Sequence, residues 1–331
     1  MKHPPLSGPM QRVSGRSRKG SALFVLVLCL GYVVALYWID RDNGTLRRLT
    51  ELAMPLAFAT MPVLASYAVR YWRWSWLLRQ GGHPLVARQG FPAYLSGFAL
   101  TATPGKAGEL LRMRYFARLG VPAERTVAAF VFERASDLLV ILLLSLLAAQ
   151  VFPTLGTLAA IVLTGVAGLF GVAAWPAALS WLACLGRQLP GRWPRHLAAF
   201  VLATATELGR CISAPALLRS LICGVLAWGL TSAVFVGLCS ALGLMLPASI
   251  AWGIYPLAML IGALSFIPGG VGTTELAVVL MLQRLGVPTA DALAAAIGVR
   301  LVTLWFAVGV GALAVCRLEM FPSRTARQAV Q

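Results

Sequence analysis

The sequence predicts an all-α, polytopic membrane protein of about six spanning helices plus two re-entrant, broken-helix hairpins in an inverted repeat. Three observations carry that prediction. Hydrophobic residues make up 59% of the 331 and charged residues 12%, with a mean hydropathy of +0.80; a soluble fold needs far more charge. Several apolar runs reach the roughly 20 residues that a helix needs to cross a bilayer. One stretch, Phe91–Asp137, returns in altered form as Tyr255–Thr303.

Taken in order, residues 1–20 are polar and carry Arg12, Arg16, Arg18 and Lys19, and read as a disordered cytoplasmic N-terminus. Ser21–Ile39 is the first span. It starts like a signal peptide but runs on to Leu36-Tyr37-Trp38 without a small-residue cleavage site. Asp40–Leu49 is an external loop, although Arg41, Arg47 and Arg48 sit uneasily on that side. Leu52–Val69 returns inward, kinked by Pro55 and Pro62, and ends in Arg70, Trp72, Arg73, Trp74, Trp76 and Arg79, which read as an interfacial aromatic-basic belt.

Gly90–Thr103 is too short to cross. It stops at Pro104-Gly105 and resumes as Ala107–Leu119, whose Arg112, Arg114 and Arg118 require the cytoplasmic side; the pair is a hairpin dipping in from there. Pro122–Gln150 crosses outward, Leu155–Ala174 inward. Residues 175–215 combine Arg187, Arg192, Arg195 and Arg210 with Pro190 and Pro194 and fit a cytoplasmic interfacial segment. Ala216–Leu242 crosses outward, Ile250–Ile267 and Thr273–Leu285 form the second hairpin, and Ala290–Val315 returns. The tail, 317–331, is cytoplasmic by Arg317, Arg324 and Arg327. One transmembrane domain, 21–316, thus divides into halves at about 21–150 and 155–316, of opposite orientation.

The repeat is closely spaced. Glu109 to Pro122 is the same step as Glu275 to Pro288, and Pro122 to Arg134 the same as Pro288 to Arg300. Phe91-Pro92 and Tyr255-Pro256 precede their Pro-Gly pairs by equal distances, and Arg-Leu-Gly-Val-Pro occurs in both copies. Between Pro-Gly and Glu the second copy is longer by two residues.

A formal charge of +17 raises nucleic acid as a partner. The Lys and Arg residues lie in short segments between apolar runs, so anionic lipid is the expected neighbour and nucleic acid is not. The six cysteines are scattered without Cys-x-x-Cys pairing, and His3, His83 and His196 lie far apart; no metal and no cofactor are expected.

The helix breaks are Pro104, Gly105 and Gly108 in the first copy and Pro268, Gly269, Gly270 and Gly272 in the second. A break frees backbone groups that hydrocarbon cannot satisfy, and the following helix turns its positive end toward it. With Lys106 added, that arrangement suits a phosphate or carboxylate. A plain turn is the simpler reading. Glu109 and Glu275 either cap the following helices or serve a cationic headgroup or proton, and Glu109 could pair with Arg112 three residues on.

Arg134 and Arg300 stand about 18 Å into their helices, near mid-depth of a core about 30 Å thick. An arginine there costs at least about 2.5 kcal/mol and must be paired or face a polar cavity. Glu133, Arg134 and Asp137 could satisfy one another, whereas Arg300 has no acid beside it in sequence. The expectation is a polar cavity shared by both halves, with substrate-binding residues Lys106, Glu109, Arg112, Glu133, Arg134, Asp137, Glu275 and Arg300.

Pro104–Arg112, Glu133-Arg134-x-x-Asp137 and Pro268–Glu275 resemble the motifs of the flippase-like, lysylphosphatidylglycerol synthase transmembrane-region family, over most of residues 20–316. The resemblance implies a multi-pass plasma-membrane protein (inner membrane in a double-membraned bacterium), with both termini cytoplasmic, that flips a polar lipid between leaflets. The lipid would be anionic-headgroup, aminoacylated, glycosylated or hopanoid-like. In the full-length synthases an aminoacyl-transferase domain follows; the chain ends at Gln331, so lysyl transfer is not expected and the protein is read as no enzyme. Partners would be membrane lipids and a lipid-biosynthetic enzyme. Two other classes compete: a lipid-phosphate transferase or hydrolase using Glu109 or Glu133 as base, against which no Ser/His/Asp set, metal site or Walker loop appears, and a non-catalytic accessory subunit.

Overall fold

A computed structural model of the chain describes residues 30–31, 44–149, 152 and 155–321. The expected first span, Ser21–Ile39, falls outside them except at Leu30 and Gly31, which are helical; the N-terminus and the tail from residue 322 also lie outside. From Thr45 the chain forms one compact unit. Among the described residues every regular element is helical.

The unit opens with α1 (Thr45–Glu51) and α2 (Ala53–Gln80). Then come α3 (Ala87–Leu95), a 3-10 segment (Ser96–Leu100), a second 3-10 segment across the first break (Pro104–Leu111) and α4 (Arg112–Ala117). After α5 (Ala123–Ser145) and α6 (Leu155–Ala174) come α7 (Pro176–Gln188), α8 (Arg192–Cys211) and α9 (Ala214–Ala241). The second copy follows as α10 (Ala248–Leu264), a 3-10 turn (Pro268–Gly270), α11 (Thr273–Arg284) and α12 (Thr289–Arg300). A π turn (Leu301–Trp305) joins α12 to α13 (Phe306–Met320).

Among the described residues, three helices are long and apolar enough to cross a membrane: Leu155–Ala174, Ala214–Ala241 and Thr289–Met320. The chain is an integral membrane protein. Helices α2 and α5, of 28 and 23 residues, are long enough too, but arginines and acids interrupt their apolar sequence. Of those charges, Arg70, Arg73, Arg125, Glu133 and Asp137 are buried. The apolar belt of a lipid-facing helix is instead seen on α6, where only Leu155, Val162, Val166 and Ala173 are buried.

Helix direction follows from contacts at the ends. Glu319, near the end of α13, meets Arg114, Tyr115 and Arg118, just ahead of α5. At the other end of α5, Ala148 lies against Gly253 in the first turns of α10, and Phe152 lies under Arg284, just ahead of α12. So α5 and the α12–α13 helix run antiparallel, and the bases of the two hairpins lie at opposite ends of the unit.

Two expectations are corrected. The residues read as an interfacial belt do form the last turns of α2, which runs to Gln80, but Arg70, Arg73 and Trp74 among them are buried. Arg70, Arg73, Trp74 and Leu77 recur at helical spacing, and that face turns toward acids on α5. The first copy also does not restart as an α-helix after its break. Residues Pro104–Leu111 wind as 3-10, and α4 begins only at Arg112, so Glu109 precedes the first α-helical turn. The close approach of Gly108 explains the tighter winding. Its N–H donates to Thr103 Oγ1 at 2.6 Å, and a side chain there would come within 2.4 Å of the Leu100 carbonyl oxygen.

Candidate functional site

The two breaks meet. The 3-10 segment of the first copy contacts the Pro268–Gly270 turn, and a Cβ at Gly269 would lie 3.1 Å from the Cα of Ala102. Gly269 holds φ +61°, open to glycine at little cost, and lets the two backbones touch. Beside this contact lies a cavity of about 80 Å³, lined by Lys106, Glu109, Arg70, Arg134, Gly269 and Arg300 among others. That volume holds two or three waters, or a group the size of a phosphate.

Behind the cavity, α2, α5 and the first hairpin share a buried ionic network. Arg73 reaches Glu133 and Asp137, each at 2.9 Å, and Arg70 reaches Asp137 at 2.8 Å. Tyr94 donates to Glu133 at 2.8 Å. Arg134 lies 3.1 Å from Asp137 and 3.6 Å from Glu133. The local pair read from sequence exists, Arg112 to Glu109 at 2.6 Å, and Arg112 extends to Glu133 at 3.5 Å. Its guanidinium lies 4.9 Å from the Trp74 ring centre and 4.4 Å from that of Tyr94, a cation-π seat that offsets part of the desolvation cost. Thr101 donates to the other oxygen of Glu109 at 2.8 Å.

The second copy is simpler. Arg300 finds the acid it lacked in sequence: its Nε donates to Glu275 at 3.0 Å, and Nη2 donates to the Gly269 carbonyl. Glu275 also accepts from the Gly272 N–H at 2.8 Å, so it caps α11 and holds Arg300 at once. The repeat explains the difference. Position 278, equivalent to Arg112, is Val278; with no arginine at that place, Glu275 turns to Arg300.

Thus the structure draws Lys106, Glu109, Arg134 and Arg300 to the cavity wall, sets Arg112, Glu133 and Asp137 behind it, and leaves Glu275 as the anchor of Arg300. Gly272 ends its break as the N-cap of α11. Arg70, Arg73 and Tyr94 were not read as site residues; the signal available was that Glu133 and Asp137 together outnumber Arg134 and require further cations. Around the cavity stand six cations (Arg70, Arg73, Lys106, Arg112, Arg134, Arg300) and four carboxylates (Glu109, Glu133, Asp137, Glu275), a formal excess of two positive charges. Every one of those carboxylates is engaged by an arginine, whereas no carboxylate among the described residues lies within 4.0 Å of the Lys106 amine. Chemically, the arrangement is a pocket of excess positive charge in which the carboxylates are already committed to arginines. Among the described residues no group of three His, Cys, Asp or Glu side chains is placed to hold a metal ion.

Comparison with known proteins places the match over nearly the same span as the repeat: the family described as Lysylphosphatidylglycerol synthase TM region matches residues 21–311. No curated protein matches the chain.

Proposed function

The chain belongs to the lysylphosphatidylglycerol synthase transmembrane-region family, and on that basis we propose that it carries the polar head of a membrane lipid between leaflets. One observation supports this reading above the rest: breaks from opposite halves meet at a single cavity with an excess of two cations, deep within an apolar protein. Unbalanced buried charge is costly, and an anionic group passing through would balance it. Lys106, Arg134 and Arg300 face that group; Arg112, Glu133, Asp137, Glu275, Arg70 and Arg73 fix their positions. The two hairpins are re-entrant, each dipping to mid-depth from its own face, and about six helices span, with both termini cytoplasmic in the plasma membrane. The partners are membrane lipids, anionic ones at the basic segments, with a lipid-biosynthetic enzyme supplying the cargo.

The test is translocation of fluorescent lipids by the purified protein in vesicles, read by a reductant that quenches only the outer leaflet. Arg134→Gln and Arg300→Gln should each abolish protein-dependent translocation while expression and solubilised yield stay at the parental level. Unchanged translocation in both would retire the reading. The lipid that gathers on the inner leaflet when the gene is deleted identifies the cargo.

A further inference from the structure

Beyond the cavity, the repeat relates four charged residues that no motif singles out. Arg125 stands three residues after Pro122 and Asp291 three after Pro288, so the first turns of α5 and α12 carry opposite charges at equivalent places. Asp291 meets Arg48 of α1 at 2.9 Å, and Arg125 meets Glu207 of α8 at 3.3 Å. Arg48 lies five residues ahead of α2 and Glu207 seven ahead of α9, and those two helices are each 28 residues long. The partners thus stand at comparable places, two residues apart in register, with both signs exchanged. Each bridge ties the long helix of one half to the segment that leads into the other half. Because α5 and α12 run antiparallel, the bridges sit at opposite ends of the unit. From each, the cavity arginine of the same helix, Arg134 or Arg300, is nine residues on, about 14 Å along the helix.

The two bridges differ in exposure, each joining one more buried side chain to one more exposed one. Arg48 is 43% exposed and Asp291 11%; Arg125 is 3% exposed and Glu207 22%. A part-exposed pair contributes about 0.2–1 kcal/mol, at most about fivefold in a two-state balance, little enough to open and enough to shift that balance. Arg125 also donates to the Leu77 carbonyl near the end of α2, so the α8-side bridge is the firmer of the two.

We propose that Arg48–Asp291 and Arg125–Glu207 are matched latches on opposite faces, and that cargo reaches Arg134 and Arg300 only past an opened one. They act by positioning helices and touch no cargo. This rests on the translocation reading, since a cavity served from both faces needs a closure on each.

Access can be measured without any cargo. A cysteine at Thr303, on the cavity wall, is introduced into a variant whose native cysteines are replaced. Labelling by a membrane-impermeant maleimide is then followed from either side of reconstituted vesicles. Asp291→Asn should raise labelling from the α1 face by about two- to fivefold and leave the other face unchanged; Glu207→Gln should do the reverse. The exchange Arg48→Asp with Asp291→Arg should return labelling toward the parental rate; a rise confined to one face is what a merely structural role would not produce. Equal rises from both faces, no rise in protein that keeps its melting temperature, or no return on exchange would each overturn the proposal. Should Glu207→Gln fail to fold, the more exposed pair decides alone. Side-specific labelling in a protein that moves no lipid would keep the latches and remove the translocation reading.

Discussion

Arg73 shows how tightly charge is handled at the level of one side chain. It is 1% exposed and lies against two carboxylates, with a third contact to the Ser220 carbonyl at 3.3 Å. Removing one partner of a buried pair costs about 3–5 kcal/mol because the other charge is stranded. Arg73→Met should lower stability by that order in denaturant titrations of the solubilised protein, and adding Glu133→Gln should recover part of the loss. Lys106 offers the opposite case. It holds φ +57°, a left-handed conformation costly to a residue with a side chain, where the second copy has Gly270 at φ +63°. Lys106→Gly should therefore leave stability within about 1 kcal/mol of the parent, strain relief offsetting the added chain freedom, while translocation falls. A lysine whose loss harms only transport is there for its charge.

At the scale of elements, the two breaks differ in build although they share a pattern. The second restarts cleanly as α11 with Glu275 at its N-terminus, whereas the first winds through eight residues of 3-10 before α4, a long run for that geometry. Gly269→Ala places a Cβ against Ala102 at φ +61° and should cost about 1–3 kcal/mol, with loss of contact between the hairpins visible as faster proteolysis near Pro104. The breaks, their glycines, and the residues Glu109, Arg134 and Arg300 could be read in the sequence because duplication marks them twice; Lys106, opposite Gly270, shows only as a charge beside its break. The arginines of α2 could not. They have no counterpart in the repeat pattern, and a basic-aromatic cluster after an apolar run has the same composition whether it lies at an interface or turns inward. Only the face it shares with Leu77, and the surplus of acid on α5, separate the two. Likewise nothing local in Arg300 reveals Glu275, 25 residues away; the partner becomes visible only when Val278 is set against Arg112.

For the molecule as a whole, the exposed apolar side chains include three tryptophans close together in sequence. Helix α7 has no buried residue, and Trp175, Trp181 and Trp193 around it are 64%, 63% and 75% exposed beside Arg187, Arg192 and Arg195. A hairpin of this composition suits the headgroup region. Lipids brominated high on their chains should quench part of the tryptophan fluorescence of the reconstituted protein, and replacing those three residues by Phe should remove most of that quenching. The α12–α13 helix carries a different consequence. Its π turn follows Arg300 directly, and beyond it Gly311 lies so near Ala99 that a side chain would strike the backbone. One surplus residue in the winding thus fixes two aims along a single rod, the guanidinium toward the cavity and a smooth seat toward the first hairpin. Deleting a residue from Leu301–Trp305 would rewind the rod by about 100°, turning the seat aside while Arg300 stayed put, so that the two halves lost their bearing on each other before either lost its shape.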